Sequence, residues 1–348
     1  MNESLAERLA ALPAGMIDMH THVVDPRLAR MPRSDGLPVV EQTSDDRLEI
    51  WLNGTLYRVV DDRCWRLESR LRDMDREGVA AHVLSPMPVM LCSDQPADVA
   101  TAVATLHNDL MAELVAEVPS RFLGMGMVPL QDPRAAIEEL RRCIDDLSFV
   151  GIEIPTKVGP LELTDPALEP FFTYAAEREA LIFVHPVDQA LDARFAKLGI
   201  GFGLGMPTET AVAMARWLTS DVADRTRGLR LVLAHGGGVL PAALGRLERG
   251  QQLAGGAQGG SATERATELW ADSLTYDAPS LELAARRFGP AHIVLGTDYP
   301  FDAREVPAGR VLHSLSAPLD ATTVGRTNVV QLLGAQPSAA FAPRAATP

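Results

Sequence analysis

Short, nearly continuous apolar runs recur along the chain, each followed by a longer stretch with apolar residues at helical spacing. The runs cover Met16–His22, Val79–Ser85, Phe122–Val128, Val150–Ile154, Leu181–His185, Leu229–His235, Glu268–Leu274 and His292–Asp298. Helical patterns follow at about Trp65–Glu77, Ala97–Glu117, Arg134–Leu147, Ala167–Glu179, Thr208–Thr219, Leu240–Arg249 and Pro279–Phe288, with helical stretches to about Leu333. Runs without polar alternation predict strands buried on both faces, as in a parallel sheet. Eight alternations of strand and helix predict an α/β protein built as a (β/α)8 TIM barrel. An open doubly wound sheet is the alternative, but its Gly-x-Gly-x-x-Gly fingerprint and a Walker Gly-Lys-Ser/Thr are both missing.

One stretch breaks the rhythm. Asp25 to about Asp46 is polar and irregular, with Pro26, Pro32, Gly36 and Pro38 as breakers. Leu48–Leu52 and Thr55–Val60 then flank Asn53-Gly54, a pair suited to the positive φ angles of a type I′ turn. A small antiparallel hairpin insertion, about residues 25–64, is therefore predicted above the first strand. The Gly-rich stretch 250–260 predicts a mobile loop. The chain reads as one barrel domain over 1–335, followed by a flexible Ala/Pro-rich tail over 336–348.

With 348 residues, 47% of them hydrophobic, the chain has ample material for a core. A net charge of −14 without any Lys/Arg-rich block argues against nucleic acid or an anionic membrane as partner. It also means that a pocket for an anion must carry its own local cations. The dispersed Cys64, Cys92 and Cys143 read as reduced, buried thiols of a cytosolic protein. The start MNESLAERLAALPAG lacks a basic and apolar signal pattern, and no apolar run suffices to span a bilayer. A cytoplasmic location is expected.

The chemistry collects at the ends of the predicted strands. His20 and His22 stand two apart on the first, where side chains at i and i+2 share a face. His185 ends the fifth strand, His235 the sixth and Asp298 the eighth. Functional side chains of a barrel gather on this C-terminal rim. Five ionisable groups buried there without compensation would be costly, whereas one divalent cation satisfies them together. Three neutral histidines and a carboxylate leave an open position for water, as in catalytic sites. Asp18, two residues before His20, reads as lying on the same face, either behind the ligands or in the barrel interior. His235 opens His235-Gly236-Gly237-Gly238; a lipase-type oxyanion hole would need a Gly-x-Ser-x-Gly elbow, which is missing. The better reading has the glycines admitting a ligand while His235 faces the activated water as acid/base. His82, His107, His292 and His313 read as packed or solvated histidines.

Ile17-Asp18-Met19-His20-Thr21-His22, Phe183-Val184-His185-Pro186, Ala234-His235-Gly236-Gly237-Gly238 and Leu295-Gly296-Thr297-Asp298-Tyr299-Pro300-Phe301 resemble the amidohydrolase superfamily. With Tyr57-Arg58-Val59-Val60, Met87-Pro88-Val89-Met90, Gly205–Thr210 and Gly245-Arg246, the chain is similar to its decarboxylase branch, typified by enzymes of 2-amino-3-carboxymuconate-6-semialdehyde, from about residue 16 to 335. The resemblance implies a non-oxidative decarboxylase with one Zn2+ per chain on His20, His22, His185 and Asp298. His235 is then the acid/base, and Arg58, Arg246 and Phe301 bind the substrate. It also implies a homodimer, with Arg246 reaching in from the neighbouring subunit. Guanidinium groups match carboxylates in a fixed fork, although on spacing alone Arg58 and Arg246 read as surface charges. Val187 and the tryptophan-free Gly199–Gly205 stretch stand where the branch carries bulky aromatics, so a reshaped pocket is expected. Two alternatives stay open. One is a hydrolase of a lactone or amide, with Glu153 on the fourth strand as support for a second metal; the other is decarboxylation of an aromatic hydroxy-acid.

Overall fold

The computed structural model describes residues 5–255 and 260–334. Among them eight parallel strands follow one another round a closed sheet: β1 (Met16–Val23), β2 (Val79–Pro86), β3 (Phe122–Met127), β4 (Gly151–Pro155), β5 (Leu181–His185), β6 (Arg230–Leu233), β7 (Trp270–Asp272) and β8 (Ile293–Val294). The barrel closes where Met19 N donates to Leu295 O at 2.9 Å and His22 N to Tyr299 O at 2.7 Å. Helices follow each strand in turn: α1 (Leu67–Glu77), α2 (Ala97–Glu117), α3 (Pro133–Arg141), α4 (Glu169–Glu177), α5 (Met206–Leu218), α6 (Leu240–Leu253), α7 (Ala278–Phe288) and α8 (Asn328–Gly334). The predicted (β/α)8 barrel is the observed fold. None of the described helices is long and apolar enough to cross a membrane.

The two-residue period of the strands sorts side chains into two cores. Leu181 and Phe183 of β5, Val232 of β6 with Ala234 just after it, and Val294 of β8 fill the barrel interior. Ile182, Val184, Leu231, Leu233, Ile293 and Leu295 face outward to the helices. The same period carries His185, Asp272 and Asp298 inward at the rim. Strand β1 departs from it. Ile17 and Met19 lie in the interior cluster, and the pairing with β2 is irregular between Asp18 and Thr21. That bulge adds a residue and turns His20 and His22 inward in their place. Asp18 is thereby left on the helix side, among Met74, Glu77 and His82. Its carboxylate accepts from Thr297 Oγ1 at 2.5 Å, so the expectation that it shares a face with His20 is overturned.

The predicted antiparallel insertion is present within its expected bounds, with one strand added to the hairpin. Val39–Ser44, within the stretch read as irregular, pairs antiparallel with Arg47–Leu52, which pairs with Thr55–Asp61. The Asn53-Gly54 turn has φ of 50° and 72°, as the pair requires. The third strand exists because Val40, together with Leu48, Ile50 and Val60, caps an apolar cluster above the barrel rim with Met87 and Met90. Elsewhere the ends shift. β8 is two residues long, with Gly296–Asp298 continuing outside the ladder, and the α3 region ends in a π-turn over Arg142–Asp146. An unpredicted helix, Leu5–Ala11, plugs the barrel floor through Leu9. Helix α6 runs to Leu253, so the 250–260 stretch begins helical; residues 256–259 and the 336–348 tail lie outside the described residues. Cys64, Cys92 and Cys143 are free and buried.

Candidate metal centre

His20, His22, His185 and Asp298 converge at the rim, each offering a ligand atom within 4.8 Å of the others, and all four are buried. What the rings face elsewhere decides which nitrogen is offered. His20 Nδ1 lies 2.6 Å from Asp272 Oδ2, His22 Nδ1 2.8 Å from Pro86 O and His185 Nδ1 2.6 Å from Pro186 O. These acceptors receive hydrogen bonds from the Nδ1–H groups, which turns all three Nε2 atoms towards the centre. There His20 Nε2 and His22 Nε2 stand 3.0 Å apart. Asp298 Oδ1 lies 3.1 Å from His22 Nε2 and 3.4 Å from His20 Nε2. His185 Nε2 and Asp298 Oδ1 have no hydrogen-bond partner among the described residues. Buried acceptors crowded together without donors are what a divalent cation satisfies, so this donor set fits one.

The electrostatics agree. Burial and neighbouring histidines hold His185 well below its ordinary pKa, and burial takes His22 down to about 4, so both are neutral ligands. Burial opposes charge on His20 as well, but the hydrogen bond and charge of Asp272 outweigh it and lift the group to about 9. An incoming ion therefore competes with a proton there. For Asp298, burial is outweighed by His22 and His20, which keep it ionised. Gly296 makes the cluster possible: a Cβ on it would come within 2.8 Å of His20 Cβ and 2.7 Å of Asp272 Cβ.

His235 lies just beyond β6, as the first residue of a tight turn rather than the last of a strand. Its φ is 58° and that of Asp298 is 66°, a left-handed backbone that side-chain-bearing residues rarely adopt. The turn is held by Asp272, whose Oδ1 accepts from Gly236 N at 2.9 Å. The His235 ring centroid is 5.0 Å from that of His185 and 5.3 Å from that of His20. Burial, then His20, lowers its pKa, favouring a neutral imidazole. Asp272 is the functional residue that sequence reasoning missed, although it falls inside the predicted seventh strand; the strand's true end lay two residues earlier than expected.

Arg58 and Phe301 join the site. Phe301 stacks on the His22 ring at 5.1 Å, and the Arg58 guanidinium lies 4.4 Å above Phe301. Both border a cavity of about 70 Å3 with His185, His235 and Asp298. An outer cavity of about 590 Å3 reaches the same Arg58–Phe301 pair from the insertion sheet. A third, of about 380 Å3, opens beside His235, Phe202 and Tyr276. Arg246 is not brought in: it lies on the exposed face of α6. Glu153 faces inward on β4 with Oε2 3.9 Å from His22 Nδ1, and burial pushes its pKa up to about 8. It stands outside the four-residue cluster. His82, His107, His292 and His313 also stay outside it.

A closed (β/α)8 barrel with histidines from β1 and β5 and an aspartate following β8 round one cation-sized point defines a class of metal-site barrel proteins. The chain belongs to the amidohydrolase family, whose model matches residues 17–322. It is 31% identical over 331 residues to the 2-amino-3-carboxymuconate-6-semialdehyde decarboxylase of Dictyostelium discoideum, covering 92% of each chain. It is 30% identical over 284 residues to the gamma-resorcylate decarboxylase of Rhodococcus jostii, covering 76% of this chain and 86% of that one. The 5-carboxyvanillate decarboxylase of Sphingomonas paucimobilis shares the fold with a TM-score of 0.77 at 23% identity, over 92% of this chain and 99% of that one. A dihydroxybenzoic acid decarboxylase from a Polaromonas species, solved with bound manganese, does so with 0.72 at 22%, over 92% and 97%.

Proposed function

We propose that the protein is a zinc-dependent, non-oxidative decarboxylase releasing CO2 from an unsaturated or aromatic-derived carboxylate, with 2-amino-3-carboxymuconate-6-semialdehyde or a close analogue as substrate. The observation that carries this reading is the convergence of three Nε2 atoms and Asp298 next to His235 and beneath Arg58. The likeness to the Dictyostelium decarboxylase supports it. A divalent ion on His20, His22, His185 and Asp298 would supply Lewis acidity to an oxygen ligand. Zinc suits the three imidazoles and one carboxylate; manganese, present in the Polaromonas relative, is the rival ion.

The protein's own groups divide the remaining work. Arg58 pairs with a substrate carboxylate in a fork, and its stacking on Phe301 orients the guanidinium towards the cavity. His235, neutral at rest, takes a proton from water, leaving a hydroxide that solvent reprotonates, and delivers that proton to the carbon that loses CO2. The carbon–carbon bond breaks, its electron pair remains on that carbon, and the proton completes a C–H bond. Arg246 serves the site of a second copy of this chain, which makes a homodimer the working unit.

Metal analysis combined with CO2 release from the semialdehyde and from gamma-resorcylate tests the proposal. One zinc per chain, with release lost in His235→Ala, is expected. Two metals per chain with lactone hydrolysis and no CO2 would overturn it in favour of the hydrolase reading.

A further inference from the structure

Asp188 puts a negative group into a cavity whose proposed occupant is an anion. It lies three residues after His185, at the start of the short turn Asp188–Ala190, and borders the inner cavity with Arg58, His235 and Asp298. The Tyr57 hydroxyl, on the insertion sheet, donates to Asp188 Oδ2. That contact ties sheet to barrel but uses only one carboxylate oxygen. Oδ1 has no hydrogen-bond partner among the described residues, and Arg58 makes no ion pair with it. Arg58 lies instead against Phe301, at 4.4 Å, and Tyr57, at 5.5 Å. The cavity thus presents a cation and a separate anion on neighbouring walls.

A free carboxylate beside a carboxylate-binding arginine repels a simple anionic substrate. It becomes favourable when the substrate also brings a hydrogen-bond donor, because a half-buried charged acceptor that a bound ligand strips of water loses free energy unless that ligand pairs with it. We infer that Asp188 is a specificity residue that accepts a hydrogen bond from an amino or hydroxyl group, so that the site selects carboxylates bearing such a donor. The inference rests on the decarboxylase reading of this site. The Tyr57 contact orients the acceptor by holding Oδ2, leaving Oδ1 for the ligand.

Calorimetric binding to metal-loaded protein, with benzoate and the isomeric aminobenzoates and hydroxybenzoates as probes, tests this without requiring turnover. Wild-type protein is expected to bind at least one donor-bearing isomer about tenfold or more tighter than benzoate. In Asp188→Asn the amide oxygen still accepts from Tyr57, so the tie persists while the second acceptor becomes a donor. That preference should then fall about tenfold or more, with melting temperature measured alongside. In Tyr57→Phe affinity should weaken with the preference retained. No preference in the wild type, an unchanged preference in Asp188→Asn, or its complete loss in Tyr57→Phe would reduce Asp188 to a structural tie. Absence of CO2 from every substrate would sink the decarboxylase reading and leave this binding result readable.

Discussion

Asp272→Asn should disable the metal centre without unfolding the barrel, and the geometry says why. Asp272 Oδ2 accepts a hydrogen bond from His20 Nδ1 at 2.6 Å, while Oδ1 accepts from Gly236 N at 2.9 Å and Leu274 N at 3.1 Å. An asparagine must choose which end carries its NH2. Facing two backbone donors, that end must keep the oxygen, so the NH2 points at His20 Nδ1. Nδ1 then becomes an acceptor and the ring proton moves to Nε2, the atom offered to the metal. Loss of such a partner lowers metal affinity roughly 10–100-fold, or about 1.4–2.7 kcal/mol. The assay is titration of chelator-stripped protein with Zn2+ against a chromogenic competitor, with thermal unfolding as control. A folded variant whose affinity stays within about threefold of wild type, well inside that range, would refute the tautomer argument.

Four further outcomes are expected. Gly238 has φ +63°, and a Cβ there would lie 2.1 Å from Pro207 O, so Gly238→Ala should cost at least about 2 kcal/mol in urea unfolding; unchanged stability would contradict the tight approach. Burial pushes His107 down to about 4 from 6.5, and neither ring nitrogen has a partner among the described residues. Between those pH values the unfolded chain binds a proton that the folded chain refuses. His107 should therefore account for about 3 kcal/mol of the stability lost as pH drops through that window, and His107→Leu should lose less than wild type by that amount; parallel curves for the two proteins would refute it. Mixing Arg58→Ala with Arg246→Ala chains should restore about a quarter of wild-type CO2 release, since half the dimers regain one complete site; verified heterodimers without activity would exclude sharing across subunits. Phe301→Leu removes the ring between His22 and Arg58, and KM should rise several-fold with metal content unchanged; loss of metal instead would give the ring a role in the centre.

Much of this site is legible in the amino-acid sequence. His20, His22, His185 and Asp298 stand at ends of apolar runs, and a parallel barrel brings strand ends to one rim whatever lies between them. Arg58 was readable only through its likeness to a family, because nothing in the local pattern of the hairpin says which face meets the cavity. The third insertion strand was hidden by its breakers and polar residues; its stability comes from covering Met87 and Met90, a contact remote in sequence. Asp272 was passed over because a strand of three residues has no period strong enough to mark its end.

The order of apolar runs determined the barrel, and the residues closing those runs determined which groups could meet. Tertiary structure decided which of them do. The bulge in β1 turned His20 and His22 inward and left Asp18 outside, a half-period shift set by closure against β8. It also set the tautomers, since the acceptors of His20 and His22 come from β7 and β2 and that of His185 from the peptide following β5. Periodicity records which residues are apolar and how far apart they stand; register and proton position depend on partners that only the closed fold supplies.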